Sequence, residues 1–183
     1  MSTISNDFQN IYNQYNILVY NVALHYLQNI EDAEEITQDV FIQLHQSLDK
    51  FKNNSSLKTW IYRITINKCL DFIKHKNSKK RFFIFGTKSN SEVELANVSN
   101  FEHPGILMEN KENAAILFKV INELTENQKT AFILSKLDGL SNPEISSIMD
   151  VSISSVESLI FRAKSSLKEK LSDKFENYRK NNK

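Results

Sequence analysis

Side chains that could bind other macromolecules are segregated by charge along this chain. Residues 31–49 contain six carboxylates and no Lys or Arg, whereas residues 50–81 contain ten Lys or Arg against one acid. From Arg162 to the last residue, eight bases accompany three acids, so the net charge of +1 conceals the separation. Adjacent acidic and basic blocks indicate two different partners, and clustered bases are typical of nucleic-acid-binding surfaces. An unevenly charged, solvated surface is the alternative.

The acidic block has the period of an amphipathic helix, with Asn29 as its predicted N-cap. Its apolar stripe comprises Ala33, Ile36, Val40, Phe41, Leu44 and Leu48. At 100° per residue the opposite side, called the acidic face below, comprises Glu35, Gln38, Asp39, Ile42 and Gln46. An isoleucine among acids and glutamines indicates a surface for a protein partner. A scattered exposed apolar residue is the plainer interpretation.

The basic block begins with a polar loop and continues as a helix from Leu57 to about Lys76. The loop holds Lys50, Phe51, Lys52, Asn53, Asn54, Ser55 and Ser56. Amides and hydroxyls beside bases suit a pocket for an unpaired nucleic-acid base, whereas the alternative is an ordinary loop with Ser56 as a helix N-cap. On the helix, Arg63, Asn67 and Lys74 fall in one sector between two apolar sides. The spacing of Trp60 favours core packing over stacking on DNA.

The C-terminal half shows the pattern of a helix-turn-helix. Thr125 with Gln128 and Ser141 with Glu144 form two capping boxes, and Gly139 is placed to end the helix between them. A tight turn is predicted at Asp150–Ser152, where Asp150 can adopt the left-handed conformation. Apolar positions that would pack the two helices are Ile145, Met149, Val151, Val156 and Leu159. A plain helical hairpin is the alternative to a DNA-reading unit.

Three Gly and two Pro in 183 residues are too few for the many tight turns of sheet folds, so the composition predicts an all-α protein. The periodicity predicts two small helical domains over residues 1–81 and 110–183, the second ending in a charged tail. Residues 82–109 keep no helical period and are interpreted as a flexible linker.

The same sequence predicts a cytoplasmic protein without catalytic or metal chemistry. A single cysteine, Cys69, indicates a reducing compartment, and the first twenty residues lack the features of a signal peptide. The longest apolar stretch, Ile17 to Leu24, is far too short to span a bilayer. The four histidines show no ligand spacing, and no catalytic triad or phosphate loop is evident. We therefore expect no cofactor, no metal and no enzyme activity.

Three motifs, in order along the chain, resemble the extracytoplasmic-function (ECF) group of bacterial RNA polymerase sigma factors. Asp32–Phe41 is similar to their core-polymerase-binding helix. Lys58–Asn67, followed by Asp71, is similar to their helix that melts and reads the minus-ten element. Leu124–Leu171 is similar to their minus-thirty-five-reading helix-turn-helix, through Asp138-Gly139-Leu140-Ser141, Glu144-Ile145 and Phe161-Arg162-Ala163-Lys164.

The resemblance implies core RNA polymerase and promoter DNA as partners, together with an anti-sigma factor, and no insertion into the membrane. It assigns polymerase binding to the acidic face. It assigns the minus-ten element to Phe51, Lys52, Asn53, Asn54, Lys58, Arg63, Asn67 and Lys74. It assigns the minus-thirty-five element to Ser155, Glu157, Ser158, Phe161, Arg162 and Lys164, called the recognition face below. Many relatives carry bases where this chain has Glu157 and Leu159, and their linkers carry more charge.

Two other functions remain open from the residues alone. A conventional helix-turn-helix regulator would share the second half, but it gives no reason for an acidic helix followed by a strongly basic segment. An all-α interaction protein that binds no DNA is the second alternative. A bound effector or a stable dimer would favour the first, and failure to bind duplex DNA with polymerase present would favour the second.

Overall fold

A computed structural model of the chain describes residues 2–51, 55–86 and 111–181. Seven α-helices lie in these ranges: α1 Ser2–Leu27, α2 Ile30–Ser47, α3 Leu57–Gly86, α4 Lys111–Asn122, α5 Glu126–Lys136, α6 Asn142–Met149 and α7 Ile153–Asn181. The described ranges contain no strand, so the all-α prediction is confirmed. None of their helices is both long enough and apolar enough to cross a bilayer. The chain divides into two compact units, residues 1–103 and 104–183.

The first unit is built on the apolar stripe of α2. Ala33, Ile36, Val40, Phe41 and Leu44 are all buried, as their spacing predicts, and α2 packs against both α1 and α3. Leu48, the sixth predicted position, is half-buried and lies beyond α2, in the 3-10 helix Leu48–Lys50. The Asn29 side chain accepts a hydrogen bond from the Asp32 backbone N–H at 2.8 Å, which satisfies one of the unpaired donors at the helix start. Asn29 is therefore the N-cap, as predicted.

Helix α3 is buried on two sides because it contacts both α1 and α2. Ile61 and Ile64 are buried on one side, and Ile66 and Cys69 on the other. Ser56 caps the helix: its hydroxyl accepts from the Thr59 backbone N–H at 3.0 Å.

The ends of two helices differ from the sequence-based expectation. Helix α3 continues to Gly86, so the first five residues of the predicted linker are helical, and the rest of that linker lies outside the described residues. No Pro or Gly interrupts the sequence between Leu57 and Gly86, so the helix meets no breaker there. Helix α7 likewise continues through the charged tail to Asn181, past the expected end near Leu171.

In the second unit, both capping boxes form. Thr125 pairs with Gln128 at the start of α5, and Ser141 pairs with Glu144 at the start of α6. Gly139 adopts a left-handed conformation, with φ +69°, just beyond α5. The chain can thus reverse there, and the Leu140 N–H donates to the Leu134 carbonyl at 2.9 Å. These local signals set the ends of two helices.

The turn between α6 and α7 has the geometry of a helix-turn-helix. Asp150 ends α6 in the left-handed conformation, with φ 56° and ψ 46°, as predicted. The Ser152 hydroxyl accepts from the Ser155 N–H at 3.2 Å and so caps α7. Ile145 and Val156 are fully buried between the helices. Ile148 and Ile160 join them in the core, whereas the expected Met149, Val151 and Leu159 are only half-buried.

Candidate nucleic-acid and protein interfaces

Four of the five residues of the acidic face of α2 are exposed. Glu35, Gln38 and Gln46 are exposed, and 56% of the Ile42 surface is accessible to solvent. Asp39 is half-buried, and its carboxylate lies 3.6 Å from the Lys68 ammonium of α3. The structure thus presents these five side chains together, on the side of α2 opposite its core stripe. An acidic surface with an apolar centre can bind a basic protein surface through both charge and apolar contact.

Two lysines of the basic block form ion pairs with α2 while their side chains remain partly exposed to solvent. Lys68 pairs with Asp39, and Lys76 donates to Asp32 at 2.5 Å. Sequence reasoning counted both lysines in the nucleic-acid footprint and missed these pairs. The sequence indicates these pairs only weakly, through matching spacings on two helices. The two acids lie seven residues apart and the two lysines eight, which is about two helical turns in each case. Because the pairs are partly exposed, each contributes only about 0–1 kcal/mol to the packing of α3 on α2, but each places a base of the block beside a carboxylate.

Three polar residues of α3, Arg63, Asn67 and Lys74, lie within about 40° of one another on the helix, and the exposed Asp71 lies beside them. These three residues are called the basic sector below. Asn67 and Lys74 are exposed and Arg63 is half-buried. Lys58 is exposed one to two turns earlier, and its ammonium lies 6.0 Å from the centre of the Tyr62 ring. Lys58 lies about 180° around the helix from Asn67, so Arg63 and Lys74 are the two cations beside the amide. Two cations can bind phosphates while an amide between them hydrogen-bonds a base edge. This sector has the composition of a nucleic-acid surface.

The loop before α3 is anchored by an aromatic stack. The rings of Phe51 and Trp60 lie 4.7 Å apart at an interplanar angle of 24°, and both residues are half-buried. One face of Trp60 is therefore covered by Phe51. Sequence reasoning did not pair these two residues. Lys52, Asn53 and Asn54 lie outside the described residues.

The recognition face of α7 is exposed along one side of the helix. All six of its residues are exposed, and Phe161 has 70% of its surface accessible to solvent. Glu157, Ser158, Phe161 and Arg162 line a shallow, open depression. The other side of α7 buries Val156, Ile160, Ala163 and Leu167 in the core of the second unit. A helix that follows a tight turn and presents polar side chains outward can enter the major groove of duplex DNA.

One contact reaches the recognition face from α6. The Asn142 amide donates to the Glu157 carboxylate at 3.4 Å. Asn142 is the first residue of α6, and the capping box of Ser141 and Glu144 fixes the backbone at that point. Glu157 thus has a neighbour that the sequence pattern did not indicate.

Both units match known family models. Residues 11–79 match sigma-70 region 2, and residues 114–167 match sigma-70 region 4. Over 149 residues the chain is 33% identical to the ECF RNA polymerase sigma-E factor of Escherichia coli strain K12. This alignment covers 76% of this chain and 74% of that protein. Over 170 residues it is 28% identical to the ECF RNA polymerase sigma factor SigW of Bacillus subtilis, covering 91% and 89%.

Two solved structures share the fold. The sigma factor RpoE of Bartonella quintana, solved in complex with the anti-sigma factor NepR, gives a TM-score of 0.65 at 23% identity, covering 91% of this chain and 97% of that one. CnrH, solved in complex with the cytosolic domain of CnrY, gives a TM-score of 0.64 at 18% identity, covering 92% and 90%.

Proposed function

Because the chain belongs to the ECF RNA polymerase sigma factors, we propose that its three exposed surfaces divide the work of promoter recognition. The chain acts in transcription initiation, binding core RNA polymerase and directing it to promoter DNA. In our proposal the acidic face of α2 binds the polymerase, the basic sector of α3 binds the minus-ten element, and the recognition face of α7 binds the minus-thirty-five element. The observation that carries this assignment is the contrast in chemistry between these exposed surfaces.

The acidic face suits a protein partner and not DNA. Its carboxylates would repel phosphates, whereas a basic protein surface would complement them and guide the encounter. Ile42, at the centre of the face, adds apolar area to what would otherwise be a purely charged contact.

The basic sector suits melted DNA. Arg63 and Lys74 would bind backbone phosphates, and the Asn67 amide would reach a base edge. We assign the reading of a flipped minus-ten base to the loop that precedes α3. Asn53 and Asn54 have side chains that hydrogen-bond base edges, and Phe51, stacked on Trp60, anchors the loop on α3.

We further propose that this chain is not an enzyme and that the chemistry of transcription belongs to the polymerase. Its place of action is then the cytoplasm, where bacterial polymerase and DNA are found. RpoE was solved in complex with the anti-sigma factor NepR, and CnrH was solved in complex with the cytosolic domain of CnrY. By analogy we propose that an anti-sigma factor also binds this chain.

In-vitro transcription tests the whole proposal. Core RNA polymerase is assayed on a genomic promoter library with and without the chain, and transcripts that depend on the chain identify its promoters. If no promoter responds, the assigned function is wrong. A stable dimer or an effector that controls DNA binding without polymerase would instead favour a conventional regulator.

A further inference from the structure

Glu157 places a carboxylate where the recognition face would meet DNA. It is the fifth residue of α7, it is exposed, and it lines the depression shared with Ser158, Phe161 and Arg162. Residues in the first turns of a recognition helix are those that contact base edges. A carboxylate cannot neutralise a phosphate, and close to the DNA backbone it would be repelled. Glu157 therefore needs a hydrogen-bond donor on the DNA to offset that repulsion.

One protein donor contacts the Glu157 carboxylate from the side of α6. The Asn142 amide, at the start of α6, donates to its Oε1 atom at 3.4 Å, which is at the long end of hydrogen-bond distances. An ionised carboxylate accepts hydrogen bonds only and offers about four lone-pair sites on its two oxygens. One amide donor leaves acceptor capacity for a second donor.

We propose that Glu157 accepts a hydrogen bond from the amino group of a cytosine in the major groove of the minus-thirty-five element, and so determines specificity at that position. This inference rests on the assignment of the recognition face made above. In the major groove, guanine and thymine present acceptors, and adenine presents an N7 acceptor beside its amino group. Cytosine presents its amino group without an adjacent acceptor, so it repels a carboxylate least.

The neighbouring side chains fit this role. At 100° per residue, Glu157 and Arg162 lie about 140° apart on α7, with Ser158 and Phe161 between them. Arg162 can donate two hydrogen bonds to a guanine or bind a phosphate, and the exposed Phe161 ring can contact a thymine methyl group. An acceptor at one edge of the face and a donor at the other would read different bases.

Selection from a randomised element tests the proposal. The holoenzyme is assembled from core polymerase and the chain, on a chain-dependent promoter whose minus-thirty-five element is randomised, and bound duplexes are sequenced. The variants are Glu157→Gln, Glu157→Arg and Asn142→Ala. The matched control is Glu169→Gln, which makes the same charge change at an exposed position of α7 about 18 Å further along the helix.

The wild-type holoenzyme should favour cytosine at one position by about 5- to 100-fold. Glu157→Gln should shift that position toward adenine and Glu157→Arg toward guanine, since these are the bases that Gln and Arg bind with paired hydrogen bonds. Asn142→Ala should weaken the cytosine preference, and Glu169→Gln should leave it unchanged. Thermal unfolding should be the same for both Glu157 variants and wild type, because Glu157 is exposed.

Three results would overturn the inference. The first is a base preference that Glu157→Gln does not alter at any position, and the second is a wild-type preference at the altered position for a base other than cytosine. The third is an equal gain of affinity on every template for Glu157→Gln and Glu169→Gln, which would mean that charge alone matters. If the wild-type chain selects nothing above core polymerase alone, the proposed function itself fails.

Discussion

Reversing the charges of Glu35 and Asp39 tests whether the acidic face of α2 binds core polymerase. The double variant Glu35→Arg with Asp39→Arg changes the charge of that face by four units and leaves the buried stripe of α2 intact. We expect polymerase affinity to fall at least tenfold, or about 1.4 kcal/mol, because like charges would then meet across the interface.

The double variant should change the free energy of unfolding only slightly. Glu35 is exposed, so its replacement should change the free energy of unfolding by less than about 0.5 kcal/mol. Asp39 loses its contact with Lys68, in which the two side chains remain 48% and 32% exposed at a separation of 3.6 Å. Such a pair contributes about 0–1 kcal/mol after screening by solvent. Helicity and melting temperature should therefore stay close to those of the wild type.

The assay is equilibrium binding of labelled chain to core polymerase, with circular dichroism melting of each variant. The matched control is Glu34→Arg with Asp49→Arg, which makes the same charge change at two exposed acids outside the acidic face. Lys68→Ala isolates the loss of the Asp39 ion pair, and we expect it to leave polymerase affinity nearly unchanged. Equal affinity of the folded Glu35/Asp39 variant and the wild type, or equal losses in both double variants, would refute the assignment.

Three further predictions concern other parts of the chain. Arg162→Ala and Lys164→Ala should each reduce the slope of log affinity against log salt concentration by about 0.9, the value for one lost phosphate contact, whereas the control Lys119→Ala on α4 should not. A salt titration of holoenzyme binding to the promoter measures these slopes, and unchanged slopes would show that neither residue contacts the DNA. Asp150→Val should lower the free energy of unfolding by about 1–2 kcal/mol, because a β-branched residue is strained at φ 56°, whereas Asp150→Gly should be tolerated. Equal stability of the Val and Gly variants in thermal unfolding would contradict this. Phe51→Ala should shift the emission of Trp60, the only tryptophan, to longer wavelength and cost about 1 kcal/mol of stability, with Phe51→Leu intermediate; an unaltered spectrum would mean that the stack does not form in solution.

The sequence alone determined the features that depend on residues within one or two helical turns of each other. The buried stripe of α2 follows from apolar spacing, because one side of an amphipathic helix must leave water. The caps at Asn29, Thr125 and Ser141 and the left-handed turn at Asp150 follow from side-chain chemistry acting over three or four residues. The exposure of the acidic face and of the recognition face follows from the same periods.

Only the tertiary structure decided which side chains meet across helices. The pairing of Lys68 and Lys76 with α2, the stacking of Phe51 on Trp60 and the approach of Asn142 to Glu157 each join residues on different elements. The period of α7 placed Val156 in the core, but it did not distinguish Leu159 from Ile160, of which the second is the more buried. Neighbouring positions on a helix differ by 100°, so the packing angle of the partner helix decides which of them is covered.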